Sequence, residues 1–152
     1  MFCCDGISTG NPGVAGLGVV VRHHSCQVLG VLAGGVGTAT NYIANAYAII
    51  CAVELAVEWK ISDIIINSDS QTVLQEFEEN RLPWMIKMRW IKASAQIYSI
   101  QFIHSFKETN FSANAAAKKG AILGAGQRKW YSGRPGFLAR IEQPNITYYR
   151  MC

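Results

Sequence analysis

The sequence predicts an α/β domain with a mixed five-stranded sheet flanked by helices. Three observations predict it. Three β-branched, apolar runs separated by turn residues occupy the first third of the chain. A long Ala-, Ile- and Leu-rich segment follows Thr40-Asn41. Beyond it, short strand-like runs alternate with helical ones.

The first strand is expected over Met1 to Ile7, running into Thr9-Gly10-Asn11-Pro12-Gly13, whose Gly and Pro residues mark a turn. Ala15 to Arg22 and Gln27 to Ala33 complete an antiparallel meander, with His23-His24-Ser25 as its turn. After Gly34-Gly35-Val36-Gly37, the pair Thr40-Asn41 is placed to cap the main helix, which reaches Trp59 and is apolar around most of its circumference. Asp63 to Asn67 reads as the fourth strand. Asp69 or Ser70 then caps a helix to about Asn80.

In Pro83 to Gln96, Trp84, Met88, Ile91 and Ala95 fall at helical spacing, with Lys87, Arg89 and Lys92 on other faces. This predicts an amphipathic helix with a basic exposed side beside Trp84 and Trp90. Ile97 to Ser105 is the fifth strand, where His104 is expected to be packed. Asn110 caps a helix through Lys119, stopped by Gly120. The order is βββαβααβα. Lys118 and Lys119 suit a helix C-terminus by its dipole.

The bulk composition fits one folded unit. A chain of 152 residues, half of them hydrophobic and 16% charged, can bury a core and lies far from disordered compositions. Domain organisation is read as residues 1–120 for the folded domain and 121–152 for a basic C-terminal extension without periodicity, holding Arg128, Lys129, Arg134, Arg140 and Arg150. No repeat is visible. The formal charge of +4 favours anionic partners weakly. Five cysteines without metal-ligand spacing (Cys3, Cys4, Cys26, Cys51 and Cys152) point to a reduced, intracellular protein. No leader or membrane span is expected, since Asn45 and Glu54 interrupt the apolar stretch from Ile43 to Leu55, and the sequons at Asn110 and Asn145 are read as chance matches.

Four motifs stand in order: Asp5-Gly6 with Gly10-Asn11-Pro12-Gly13; Thr40-Asn41 opening a helix; Ser68-Asp69-Ser70 after a strand; and Asn110-x-x-x-Asn114 opening a helix. Over roughly residues 1 to 120 this pattern resembles the type 1 ribonuclease H family, and within it the plant retrotransposon, reverse-transcriptase-associated domains. Arg134-Pro135-Gly136-Phe137-Leu138 and Tyr148-Tyr149-Arg150 resemble the C-terminal ends of those domains. Met1 directly before the first strand is expected of a fragment, or of a gene that lost its upstream part.

The resemblance implies a ribonuclease H-like fold and a metal-dependent hydrolase acting on the RNA strand of RNA–DNA hybrids. In such chemistry two Mg²⁺ ions about 3.5–4 Å apart activate water and stabilise the leaving oxygen. Mg²⁺ takes hard oxygen ligands, so carboxylates from separate elements must converge. The family's Asp, Glu, Asp and Asp map onto Asp5, Asn45, Asp69 and Asn114.

Two carboxylates are therefore replaced by amides. An amide oxygen carries no charge, so two divalent ions would face only Asp5 and Asp69, the expected metal residues. Asn45 is also one methylene shorter than Glu. Neither Glu54, nine residues beyond Asn45, nor Glu108 substitutes convincingly. Isosteric inactivation of a Glu would give Gln, so Asn45 reads as drift. For nucleic acid, the resemblance implies contacts from Gly10, Asn11, Gly13, Thr40 and Asn41, suited to reading backbone and 2′-hydroxyl groups.

The expectation is thus a monomeric, hybrid-binding domain of reverse-transcriptase type with impaired cleavage and Mg²⁺ or Mn²⁺ held weakly or not at all. The alternatives are an active Mg²⁺- or Mn²⁺-dependent ribonuclease and a non-catalytic scaffold or relic.

Overall fold

The computed structural model describes residues 1–25, 27–106 and 110–139. Glu108, Cys26, Arg140, Asn145, Tyr148, Tyr149, Arg150 and Cys152 lie outside the described residues. The strands are β1 (Phe2–Ser8), β2 (Gly13–Arg22), β3 (Val28–Ala39), β4 (Asp63–Ser68), β5 (Ser99–His104) and β6 (Arg128–Ser132). The helices are α1 (Asn41–Glu58), α2 (Gln71–Glu78), α3 (Trp84–Ser94), α4 (Phe111–Gly120) and the short α5 (Gly136–Ala139).

All six strands form one mixed sheet in the order β5-β4-β1-β2-β3-β6. The meander β1-β2-β3 and the pair β3-β6 are antiparallel, whereas β1-β4 and β4-β5 are parallel. Alternation along the strands divides the core. Cys4, Leu17, Val19 and Leu32 face α1, α2 and α3, while Cys3, Val20 and Val31 face α4 and α5.

The sheet thus has six strands where five are expected. Arg128–Ser132, within the stretch that lacks periodicity, pairs with Gly30–Gly34 of β3. Five residues mixing Arg, Lys, Trp, Tyr and Ser carry no alternation of their own, and the ladder to β3 makes them a strand. The third strand is also longer than expected, since it continues through the glycines to Ala39. A Cβ on Gly35 would sit 2.2 Å from the Gly124 carbonyl oxygen, so glycine lets the connection to β6 pass close against β3.

Helix α3 turns the opposite way from the expected stripe. Ile86, Trp90 and Ala93 are buried, whereas Trp84, Met85, Met88 and Ile91 are exposed. Both stripes are apolar, and aromatic partners select between them: Trp90 meets Phe77 of α2 edge-on at 4.8 Å and lies 6.1 Å from Phe102 of β5. Arg89 is half-buried and reaches Glu54 of α1 with its Nε at 3.3 Å and Nη2 at 2.5 Å.

Cys4 and Cys51 are buried free thiols. Burial pushes both thiols up, Cys4 well above the ordinary value. Cys3 is in a disulfide, so the expectation of a fully reduced set of cysteines fails at that residue. No described helix is long and apolar enough to cross a membrane.

Candidate nucleic-acid site

The site forms where β1, the start of α1, the end of β4 and the start of α4 meet. Asp5 lies in β1 opposite Gly18 of β2 and is 4% exposed. Its neighbour Gly6 brings α1 close, since a Cβ there would lie 2.1 Å from the backbone carbon of Ala44 and 2.3 Å from the Asn45 nitrogen. Only a residue without a side chain fits between strand and helix.

That proximity places Asn45 at the strand. The Gly6 N–H donates to both Asp5 Oδ1 and Asn45 Oδ1, each at 3.0 Å. Asn45 Nδ2 donates to the Asn41 carbonyl at 2.9 Å. From the other sheet face, Asn114 Nδ2 donates to Asp5 Oδ2 at 2.9 Å. Asp5, Asn45 and Asn114 are thereby brought together, with both amides engaged in hydrogen bonds.

Asp69 follows the last residue of β4. The parallel register pairs Cys4 with Ser68, so Asp5 and Asp69 each stand one residue further along neighbouring strands. Its side chain is half-buried. Ser70 occupies the N-cap position of α2 without a side-chain cap bond. Among the described residues, no three His, Cys, Asp or Glu side chains gather closely enough to hold a metal ion.

His104, expected to be packed, is instead exposed, and its Nε2 lies 3.2 Å from the Asp69 carbonyl oxygen. The parallel pairing of Ser68 with His104 at the end of β5 sets it there. Its apolar neighbours suggest a packed strand residue. It lies instead at the end of β5, an edge strand of the sheet, where it is open to solvent beside Asp69.

The glycine turn is tied to the start of α1. The Ser8 N–H donates to Asn41 Oδ1 at 2.8 Å, and the Asn41 N–H donates to Asn11 Oδ1 at 3.2 Å. Thr40 caps α1, its Oγ1 accepting from the Ile43 N–H at 3.2 Å. Gly10, Asn11 and Asn41 are exposed, and Gly13 and Thr40 partly so. The five residues expected to contact nucleic acid therefore share one surface. Asn110 stands at the N-cap of α4 but makes no cap bond with its side chain. It is buried and donates from Nδ2 to the Cys4 carbonyl at 3.1 Å, which anchors α4 beside Asp5.

Residues 3–120 match the family model described as Reverse transcriptase-like. This chain belongs to the type 1 ribonuclease H family. A ribonuclease HI of Halobacterium salinarum is 38% identical over 69 residues, which is 45% of this chain and 35% of that relative. The matched stretch thus spans about a third of that relative's length.

The crystal structure of ribonuclease H1 from Halobacterium salinarum has a TM-score of 0.70 at 27% identity, covering 77% of this chain and 92% of that one. LC11-RNase H1 in complex with RNA/DNA hybrid shares the fold, with a TM-score of 0.69 at 22% identity over 78% of this chain and 94% of that chain. The foamy viral protease-reverse transcriptase, also solved with an RNA/DNA hybrid, shares it with a TM-score of 0.65 at 19% identity over 79% of this chain and 19% of that one. In this chain Asn114 bonds Asp5 directly and Asn45 meets it through the shared Gly6 N–H.

Proposed function

We propose that this ribonuclease H domain binds RNA–DNA hybrids and cleaves them poorly or not at all. The observation that carries the reading is the hydrogen bond from Asn114 Nδ2 to Asp5 Oδ2. A hydrogen-bond donor there stabilises Asp5 without a cation, whereas a carboxylate in its place would repel Asp5 unless a cation lay between them. Asn45 likewise spends its oxygen on the Gly6 N–H and its amide protons on the Asn41 carbonyl.

These residues do not fit a pair of Mg²⁺ ions. Two carboxylates balance two of four positive charges, and Mg²⁺ exchanges its waters reluctantly for neutral amides. Asp5 and Asp69 offer one divalent ion, Mg²⁺ or Mn²⁺, a weak seat. The turn holding Gly10, Asn11 and Gly13, together with Thr40 and Asn41, supplies the small polar groups and backbone amides that an A-form-like duplex requires. The arrangement suits a unit that operates within or beside a reverse transcriptase.

The test is binding and cleavage of a labelled RNA–DNA hybrid in Mg²⁺ and in Mn²⁺, comparing this chain with an Asn45→Glu, Asn114→Asp double variant. Binding by both with cleavage by the variant alone is expected. Cleavage by this chain at a rate close to the variant's overturns the impairment, and absence of hybrid binding by this chain overturns the reading altogether.

A further inference from the structure

Charge is distributed unevenly along the chain. Residues 1–109 hold seven Lys and Arg against nine Asp and Glu, so the part carrying nearly all of the site has more acids than bases. Residues 110–139 hold Lys118, Lys119, Arg128, Lys129 and Arg134 and no acid at all. The chain's excess of positive charge therefore lies in the later segment, and a polyanion is drawn toward that segment more than toward the site itself.

The fold gathers much of that charge on the sheet face opposite α1 and α3. Lys129 and Tyr131 stand two residues apart on β6 and so project to the same side. Tyr131 meets Phe137 of α5 edge-on at 5.4 Å. The Lys119 ammonium lies over the Phe137 ring at 5.6 Å and the Lys129 ammonium over the Tyr131 ring at 5.0 Å. Cation, ring, ring and cation thus form one continuous row. Lys118 is exposed on the same last turn of α4.

Among the described residues, no ion pair holds Lys118, Lys119 or Lys129. The helix dipole accounts for cations at the end of α4 but not for Lys129 on a strand. Tyr131 and Phe137 are partly buried against the core, so their rings hold a fixed place, whereas the three lysines are exposed. β6 and α5 both lie beyond residues 3–120, the part shared with the family model.

We infer that the last turn of α4, β6 and α5 form a second nucleic-acid contact surface, in which Lys118, Lys119 and Lys129 take phosphates beside the Tyr131 and Phe137 rings. This rests on the reading of the chain as a nucleic-acid-binding domain. The occupant is the sugar–phosphate backbone of the bound hybrid or of a strand extending from it. Ammonium groups supported on aromatic rings suit phosphate contacts that carry no sequence preference.

Lysine acetylation of the folded chain, read by mass spectrometry with and without a saturating RNA–DNA hybrid at low salt, tests the surface directly. Lys118, Lys119 and Lys129 are expected to become several-fold less reactive with hybrid, relative to Lys60 on the turn after α1. A Lys118→Gln, Lys119→Gln, Lys129→Gln variant is expected to flatten the log–log salt dependence of binding by about 0.9 for each phosphate that is no longer neutralised. The corresponding Lys→Arg variant is expected to retain the slope, and a melting curve checks that each variant is folded.

Hybrid binding with all three lysines still reactive and the slope unchanged overturns this surface and leaves the proposed function standing. Protection by a poly-glutamate peptide but not by hybrid assigns the face to an acidic protein, which also overturns it. If the chain binds no nucleic acid, the proposed function falls and the surface with it.

Discussion

Asn114 Nδ2 donates a 2.9 Å hydrogen bond to Asp5 Oδ2, joining α4 to β1. The bond gives the Asp5 carboxyl a hydrogen-bond donor from α4 in addition to the Gly6 N–H. It also couples the chemistry of the site to the docking of α4.

Restoring carboxylates should therefore create a cation requirement. With Asn45→Glu and Asn114→Asp together, the melting temperature is expected to fall without divalent ions and to recover with Mg²⁺ or Mn²⁺. Occupancy at a hundred times the Kd contributes about 2.7 kcal/mol. Thermal denaturation with and without metal checks this. A comparable metal-induced rise in the unaltered chain would contradict it.

Gly6→Ala should damage fold and site at once. The added methyl meets the backbone of Ala44 and Asn45 near 2 Å, and backbone cannot rotate away as a flexible side chain could. A loss of about 3 kcal/mol is expected from such overpacking, measured by urea denaturation, with hybrid affinity falling alongside it.

Thr40→Ala removes the acceptor for the Ile43 N–H at the start of α1. The expected cost is about 1 kcal/mol of stability. Thr40→Ser, which keeps the oxygen, should cost less than half of that by the same denaturation measurement.

Arg89→Ala breaks the contact with Glu54 and removes the guanidinium from above the Tyr47 ring, 5.5 Å away. Both charged groups are more than a third exposed, so the pair itself contributes about 1 kcal/mol or less. Arg89→Lys should recover little, since ammonium cannot reproduce a two-pronged contact. Equilibrium unfolding of the two variants decides the point.

Tyr42 gives the fold a sensitivity to alkali. Burial, then the hydrogen bond to Glu76 and the nearby charge of Glu76, push its phenol up to about 12 from the ordinary 10. The folded state holds this proton more tightly than the unfolded chain, so stability from this group is present below pH 10 and is lost as pH rises toward 12. Tyr42→Phe should show a shallower decline in stability across that interval, as measured by unfolding at stepped pH.

Much of the site is legible in the residues because it rests on local signals. Thr40 is followed by a helical segment and caps α1 as expected, and Asp69 follows a short β-branched run and stands at the end of β4. His104 was not legible as a site neighbour, because its position beside Asp69 comes from parallel pairing between segments 35 residues apart.

The order of elements through α4 and the placing of Asp5-Gly6 before a glycine turn are legible in the sequence alone, as is the presence of Asn45 and Asn114 where the family resemblance implies carboxylates. Spacing, turn chemistry and residue identity are local properties that survive without coordinates. Tertiary structure decided which stripe of α3 is buried, because Trp84, Met88 and Ile91 compete with Ile86, Trp90 and Ala93, and the rings of Phe77 and Phe102 select the winner. It also made Arg128–Ser132 a strand through hydrogen bonds to β3, and gave Asn114 a hydrogen bond to Asp5. Those outcomes depend on what distant segments present to each other, a quantity set only when the chain has folded.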